Sequence, residues 1–578
     1  MAKKILSIHY GHNATIALSI DGKIVCVVSE ERFNRIKNAI GFPYRAVEYV
    51  RDKYLDGDVN NVDAVSIIDQ TLSSYNYLNS FGFEPHTYLD YFCYSRKSDI
   101  EKCVSTPPET KPVNPPELPT DETRKEAVRI LAGHIGVDEK KISFSGTHHL
   151  AHCASCLYFL EPENKYLVFT LDGVGDGLCA TVNICENGKI DTISKTEKDN
   201  SLAFLYCMIT AYLGMKPNEH EFKVMGMAPY ADPKQRDRIY EILKKALWLD
   251  ENNNFTSDLS RDFMPFLIRN LIYERFDNVC AGMQKLAEEL VCQWIFSWIE
   301  KTGIHSIAVS GGLFMNVKAS KKVSEMSNVQ KFFVMPSAAD ESLVFGGCYL
   351  ENIKNGVKNP PAVTDLYLGR EFSDVEIEEY FKNSNIYERY KVEKYSPDEM
   401  SKKVAEKLAD NQIVARFCGR EEWGARALGN RSILCNPSNR KNINTLNQAI
   451  KNRDFWMPFA PSILEEDLEL YAKNPKNIST PYMCLALDST DKAYEDIPAA
   501  MHPRDRTVRP QAVSRIYNPG YYNIIKEFKK LTGISGVLNT SFNLHGEPIV
   551  GSPADAIHTL DDSALKYLVL GNYFVEKK

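Results

Sequence analysis

The stretch Ser145-Gly-Thr-His148-His149-Leu150-Ala151-His152-Cys153-Ala154-Ser155-Cys156 gathers the residue types best able to do chemistry. Three of the chain's twelve histidines fall within its five residues 148–152. Thr147 can cap a helix that Pro162 forbids from continuing, so residues 148–160 are expected to form one short helix. On that helix His148 and His152 share a face, their Cβ atoms about 6 Å apart. Such a pair is a two-ligand bite for a transition metal. It is as often a pair of surface or core histidines, so a metal site requires carboxylates from elsewhere. His149 points off the face and stands where a His-Glu-x-x-His protease would need glutamate. Cys153 and Cys156 have no second cysteine pair and read as small packing residues.

The elements that must position these side chains show a repeat. Residues 5–10, 14–20 and 24–28 read as three strands joined by Gly11-His12-Asn13 and by an Asp21-Gly22-Lys23 hairpin. The pattern returns at 166–171, 180–184 and 190, joined by Asp172-Gly173-Val174-Gly175-Asp176-Gly177 and by Asn187-Gly188-Lys189. Gly11 to Gly22 and Gly177 to Gly188 are equally spaced, and both copies carry Ala-Thr after the first turn, which argues for internal duplication. Duplicated hairpins with Gly-rich first turns resemble the actin, sugar-kinase and Hsp70 class, whose two turns face each other across a cleft and hold phosphates. Asp172 and Asp340, the latter in a strand-to-helix loop, are the carboxylates able to join His148 and His152. Spacing leaves Fe(II), Zn(II) and Mn(II) open, and Asp340 alone would read as a helix cap.

At 578 residues, 44% hydrophobic and 25% charged, the chain has an ordinary globular composition and ample core. A net charge of −7 argues against wholesale nucleic-acid binding. No apolar run reaches membrane-spanning length, and Ile5-Leu-Ser-Ile8 is too short for a signal-peptide core. Fourteen scattered cysteines suit reduced thiols in the cytoplasm. The proline-rich residues 104–120 are expected as a loop or lid, and residues 280–302 as a core helix. Ile307-Ala-Val309 runs into Ser310-Gly-Gly312 and a helix near Leu313, with Asn316 on its first turn: an anion cradle without a Walker lysine. A polar linker at 356–365 separates residues 1–355 from 366–578. Beyond it Arg416, Arg420, Arg426, Arg431, Arg440, Lys451 and Arg453 crowd together, interleaved with glycines and apolar residues, as in a folded phosphate pocket.

Read together, the chain resembles the O-carbamoyltransferases of antibiotic and nodulation-factor biosynthesis, among them the tobramycin and cephamycin enzymes. The resemblance covers nearly the whole chain. It rests on Gly11-His12-Asn13-Ala14, Glu30-Glu31-Arg32-Phe33, His148-His-Leu-Ala-His152, Asp172-Gly-x-Gly-Asp176, Lys223-Val-Met-Gly-Met-Ala-Pro-Tyr230 and Ser310-Gly-Gly-x-x-x-Asn316. In the second half it rests on Gly419-Arg-x-x-x-Gly-x-Arg426, Asn430-Arg431-Ser432, Pro458-Phe-Ala-Pro461 and Leu538-Asn-Thr-Ser-Phe-Asn543. Two departures stand out: Asn13 where the family commonly has Asp, and Arg506 for Gly.

The resemblance implies an α/β architecture: an N-terminal actin-like duplicated domain at 1–355 and a C-terminal YrdC-like domain at 366–578. It implies that the C-terminal domain makes carbamoyl-adenylate from carbamoyl phosphate and ATP (with Mg2+). The N-terminal domain, with a metal that is usually iron, would pass the carbamoyl group to a hydroxyl of a small-molecule acceptor. The expected metal ligands are His148, His152, Asp172 and Asp340. His12, neutral at pH 7, is the candidate general base. Gly173, Val174 and Gly175 with Lys37 and Lys223 are expected around the intermediate, and Gly312 and Asn316 around its nucleotide. Arg420, Arg426, Lys451, Arg453, Arg509, Asn539 and Asn543 are expected to hold the C-terminal substrates. Loops at 70–125 and 250–275 would select the acceptor, and the protein would act as a monomer or homodimer without nucleic acid or membrane. The competing readings are a tRNA threonylcarbamoylation enzyme, a hydrogenase-maturation carbamoyltransferase and an actin-like nucleotide module without transfer chemistry. The acidic charge disfavours the first, and the absence of paired Cys-x-x-Cys zinc motifs the second.

Overall fold

The computed structural model describes residues 2–68, 121–447, 450 and 454–578. The expected lid at 104–120 lies outside them. Two compact units emerge: residues 1–34 with 38–363, and residues 35–37 with 364–578.

The first unit holds two five-stranded sheets. One contains β1 (Lys4–His9), β2 (Thr15–Ile20), β3 (Lys23–Ser29), β4 (Ala64–Ile67) and β5 (Ile142–Phe144), in the order β3-β2-β1-β4-β5. The other begins with β6 (Tyr166–Gly175), β7 (Leu178–Glu186) and β8 (Lys189–Glu197). After a small ribbon of β9 (Trp248–Leu249) and β10 (Phe255–Thr256) it is completed by β11 (Ser306–Ser310) and β12 (Lys331–Val334). Its order, β8-β7-β6-β11-β12, repeats the first. In each sheet the leading strand is antiparallel to the second and parallel to the fourth. The duplication therefore extends beyond the hairpins to the whole sheet, in the actin-like arrangement. Both hairpins turn through two left-handed residues, Asp21 and Gly22 (φ 50° and 80°) and Asn187 and Gly188 (φ 51° and 73°). That is the type I′ geometry matching strand twist, and Asn, Asp and Gly tolerate it best.

Strand alternation assigns the faces. Leu6, Ile8 and Tyr10 join Val47, Val50, Leu131 and Ile135 in one core, under the helices Tyr44–Tyr54 and Asp121–Ile135. Ser7 and His9 face the opposite way. There the helix Leu343–Lys354 approaches so closely that a Cβ on Gly347 would lie 2.2 Å from Ser7 Oγ. In the second sheet Phe169 packs edge-on against Trp294 of the long helix Phe276–Thr302, ring centroids 4.9 Å apart. That sheet's other face carries the helix His148–Cys156. The two central helices meet where Gly346 sits against the Ala151 carbonyl; a Cβ there would be 2.0 Å from that oxygen.

Two expectations are corrected. The histidine helix ends at Cys156, not at residue 160. Ser155 Oγ donates to His152 O at 2.7 Å, giving a C-terminal carbonyl a side-chain partner, and the chain continues in tighter turns. The helix after Ser310 begins later than residue 313: a 3-10 turn spans Gly312–Met315 and Asn316 caps the helix Val317–Glu325. Within the expected linker, Val357, Pro360 and Pro361 lie against Gly22, and Val363 N donates to Tyr158 O at 2.8 Å.

The second unit is built on an eight-stranded mixed sheet. Its strands are β13 (Tyr390–Lys394), β14 (Val414–Phe417), β15 (Arg431–Cys435), β16 (Ala460–Leu464), β20 (Gln511–Val513), β21 (Gly536–Ser541), β22 (Tyr567–Leu570) and β23 (Tyr573–Lys577). They run in the order β13-β23-β22-β14-β15-β21-β16-β20. A small sheet of β17 (Ala472–Lys473), β18 (Leu487–Ser489) and β19 (Thr507–Val508) flanks it. Ile377, Phe381, Phe417, Ile433, Leu538 and Leu568 anchor the core. Among the described residues no helix is long and apolar enough to cross a membrane.

Candidate metal centre and its flanking turns

Four ligand atoms, one each from His148, His152, Asp172 and Asp340, lie within 4.8 Å of one another. They arrive from three features of the duplicated fold: one helix, the end of β6 and the turn before a second helix. Thr147 Oγ1 accepts from Leu150 N and starts the histidine helix. One turn separates the two imidazoles, whose Nε2 atoms are 3.1 Å apart. Asp172 sits where β6 leaves its pairing with β7, and its Oδ2 lies 3.1 Å from His152 Nε2 and 3.8 Å from His148 Nε2. Asp340 opens the turn before the Leu343–Lys354 helix, its Oδ1 3.6 and 3.7 Å from the two Nε2 atoms.

A supporting set holds these groups. His152 Nδ1 is 3.2 Å from Ser342 Oγ and 3.3 Å from Ser310 Oγ, so its other nitrogen is aimed at the carboxylates. Gly173 N donates to Asp172 Oδ1 at 2.6 Å and Gly312 N to Oδ2 at 3.0 Å. His148 N donates to Asp176 Oδ2 at 2.7 Å. Gly175 must lack a side chain, because a Cβ there would be 2.1 Å from the His148 ring.

The electrostatics are those of a cation site. Burial opposes a charged His148, but Asp340 and Asp172 outweigh it and raise the imidazole to about 9. Burial and the Asp172 charge act against ionised Asp340, yet the histidines hold its carboxyl below the usual range. Asp172 is held well below that range, the same histidines overriding its burial. Two imidazole nitrogens facing each other beside two carboxylates favour a positive charge between them. Ligands about 2.1 Å from one ion lie at most about 4.2 Å apart, so small inward movements fit this donor set to a transition metal.

On the facing turn His12 is half-buried; burial lowers its pKa, against the pull of Asp340, Glu219 and Asp172. Asn13, in a left-handed conformation (φ 62°), donates Nδ2 to Glu341 Oε2 at 3.0 Å. His9 is a neighbour that sequence reasoning missed. It is 7% exposed, its Nε2 lies 3.0 Å from His12 O and 3.9 Å from Asp340 Oδ2, and burial drives it down to about 4. Alternation along β1 was the available signal, since it sets His9 opposite Ile8 and Tyr10. His149 stays off the donor set, its Nδ1 2.8 Å from Thr170 Oγ1.

Other expected residues have different duties. Gly173 and Gly312 spend their N–H groups on Asp172, so a phosphate cannot use them without displacing that carboxylate. Gly175 closes the β6–β7 pairing opposite Leu178, and Val174 is exposed. Asn316 caps its helix through Ala319 N and exchanges two hydrogen bonds with Gln284, of 2.9 and 3.0 Å. Lys223 is half-buried on the Glu221–Met227 helix, and Lys37 belongs with the second unit.

In the second unit Arg420 donates to the Leu368 and Gly369 carbonyls at 2.7 and 3.3 Å. Asn539 Nδ2 reaches Ala427 O and Ser462 Oγ, both at 3.0 Å, and Asn543 Nδ2 donates to Leu544 O and Glu547 O. Arg431 is fully buried, stacked 3.7 Å over Phe417 and bonded to the Cys418 and Asn430 carbonyls. Glu422 Oε1 fills the backbone nest of Leu428, Asn430 and Arg431. Arg426 and Arg509 are half-buried, and the charge of each opposes the rise that burial imposes on the Cys484 thiol. Lys451 and Arg453 lie outside the described residues.

Family models place this geometry. Residues 4–348 match the carbamoyltransferase N-terminus and residues 405–577 the carbamoyltransferase C-terminus. The chain belongs to the carbamoyltransferase family. As a member it is a carbamoyl-transferring enzyme. It is 29% identical to nodulation protein NolNO of Sinorhizobium fredii, over 98% of this chain and 79% of that one. It is also 29% identical to the uncharacterized protein sll1178 of Synechocystis, over 98% and 95%. Among solved structures it is similar to T. kodakarensis HypF, at 13% identity and a TM-score of 0.33, covering 62% of this carbamoyltransferase and 49% of HypF.

Proposed function

We propose that the protein is an ATP-dependent O-carbamoyltransferase acting on a hydroxyl of a small molecule. The observation that carries this reading is the convergence of His148, His152, Asp172 and Asp340 within 4.8 Å, in a chain of this family. In the second unit carbamoyl phosphate, ATP and water yield carbamoyl-adenylate, phosphate and pyrophosphate. Arg426 and Arg509 are candidates for holding phosphate groups there, together with Lys451 and Arg453.

In the first unit the acceptor hydroxyl attacks the carbamoyl carbon, the C–O bond to the adenylate phosphate breaks, and AMP leaves. His12 is the base: burial keeps its imidazole neutral at pH 7, so it can take the hydroxyl proton as the new C–O bond forms. The donor set suits Fe(II), Mn(II) or Zn(II), with iron favoured by the family resemblance. When bound, the ion supplies Lewis-acid hold on the adenylate phosphate. Ser342 and Ser310 keep His152 oriented, and the Gly173 and Gly312 N–H groups fix Asp172. The acceptor is a small hydroxylated metabolite, and the protein works in the cytoplasm.

The test is acceptor-dependent AMP release from ATP plus carbamoyl phosphate across a panel of hydroxylated metabolites. His148→Ala and His152→Ala in the full chain are expected to lose bound metal, measured by mass spectrometry of the elements, and AMP release. Both should retain carbamoyl-phosphate-dependent exchange of pyrophosphate into ATP. Full transfer by a metal-free variant would overturn the assigned role.

A further inference from the structure

Arg261 has an unusual setting. Its guanidinium carbon lies 4.0 Å over the Phe204 ring. Its Nε is buried without a hydrogen-bond partner, and among the described residues the side chain makes no ion pair. Burial pulls its pKa down, and Asp199 acts on it only from a distance. A buried guanidinium N–H with no acceptor is costly unless something else satisfies it.

The surroundings fix where that something would sit. Ser257 N donates to Asn200 Oδ1 at 3.0 Å, tying the Arg261 loop to the start of the Leu202–Tyr212 helix. Phe263 packs on the same Phe204, ring centroids 6.3 Å apart. That helix is capped by Ser201, whose Oγ accepts from Phe204 N and donates to Asp172 O, both at 3.0 Å. Arg261 is thus linked through Phe204 and Ser201 to a residue of the candidate metal centre. Ser260 and Arg261 are consecutive left-handed residues (φ 44° and 70°). That conformation costs roughly 1–2 kcal/mol per non-glycine residue, and such strain gathers at ligand clamps.

We propose that Arg261 binds an anionic group of the acceptor, a carboxylate, phosphate or sulfate, so that the substrate class is acidic hydroxylated small molecules. The proposal rests on the carbamoyl-transfer reading. Phe204 holds the guanidinium plane, its outer nitrogens engage two anion oxygens, and the acceptor hydroxyl is presented toward the Asp172 turn.

The full-length protein is tested with gluconate, glucose 6-phosphate and glucose 6-sulfate against neutral glucose. Two readouts are taken: AMP release, and phenylglyoxal labelling of Arg261 followed by peptide mass mapping. At least one acidic probe is expected to slow Arg261 labelling several-fold while glucose does not. Arg261→Gln should lower kcat/KM for that acidic acceptor roughly 10- to 100-fold and leave glucose turnover unchanged. Arg261→Lys should restore part of the loss and shows that the loop still folds. Equal use of acidic and neutral acceptors by wild type and Arg261→Gln overturns the proposal. So does labelling that no acidic probe slows. Protection without AMP release from any acceptor keeps the anion site and sinks the transfer reading instead.

Discussion

Gly346→Ala tests whether the two central helices set the candidate metal centre. A Cβ at Gly346 would lie 2.0, 2.6 and 2.7 Å from the O, C and Cα of Ala151. All three are backbone atoms, so no rotamer change relieves the clash. Cβ contacts below 3.0 Å essentially never occur, so the helices must separate by at least about 1.0 Å. Ala151 adjoins His152, and Asp340 begins the turn leading into the other helix. The Asp340–His148 and Asp340–His152 separations of 3.6 and 3.7 Å would open to about 4.6 and 4.7 Å. Donors on one ion lie at most about 4.2 Å apart, so these pairs would have to close further before they could share it. Gly346→Ala should therefore lose at least ten-fold in metal affinity and about 1–3 kcal/mol in stability. Metal content per chain and chemical denaturation measure both. Gly133→Ala is the control: it is helical, has open space around it, and should be neutral or stabilising by up to about 1 kcal/mol. A Gly346→Ala protein with full metal content and unchanged stability would refute the helix-contact argument.

Further perturbations follow from buried charges. Glu30 is 6% exposed, and burial raises its carboxyl to about 7 even though Ala46 N donates to it at 2.9 Å. The folded state holds this proton more tightly than the unfolded state, so stability falls as pH rises from about 4.5 to about 7. Glu30→Gln should match wild type near pH 4 and gain up to about 3 kcal/mol at pH 8, read by urea denaturation at each pH. A constant difference at both pH values would contradict it. Asn13→Asp would put a carboxylate where an amide donates to Glu341, and should cost about 1–3 kcal/mol. Adding Glu341→Gln should recover much of that loss in a double-mutant cycle, and additive losses would count against the pairing.

The sequence alone determined what local rules control. Asp21-Gly22 and Asn187-Gly188 encode turns because few other residues accept two consecutive left-handed conformations. Thr147 and the four-residue spacing of His148 and His152 place two imidazoles on one face before any packing occurs. Matched spacing of the two hairpins exposed the duplication, though the shared strand order became visible only when β4 and β11 were paired. The end of the histidine helix was not legible, because Ser155 closing back on His152 competes with Pro162 as the terminator.

Tertiary structure decided which polar residues converge and which are already engaged. Asp340 reads as a helix cap until the contact between Gly346 and Ala151 brings its turn to the imidazoles. Asn316, Asn539 and Arg420 carry the residue types of ligand-binding groups, yet their hydrogen bonds go to Gln284, Ser462 and the Leu368 carbonyl. Residue type records hydrogen-bonding capacity; only the fold shows where it is used. His9 makes the same point in reverse: strand alternation chose its face, but what lay across from it was set by segments more than three hundred residues away.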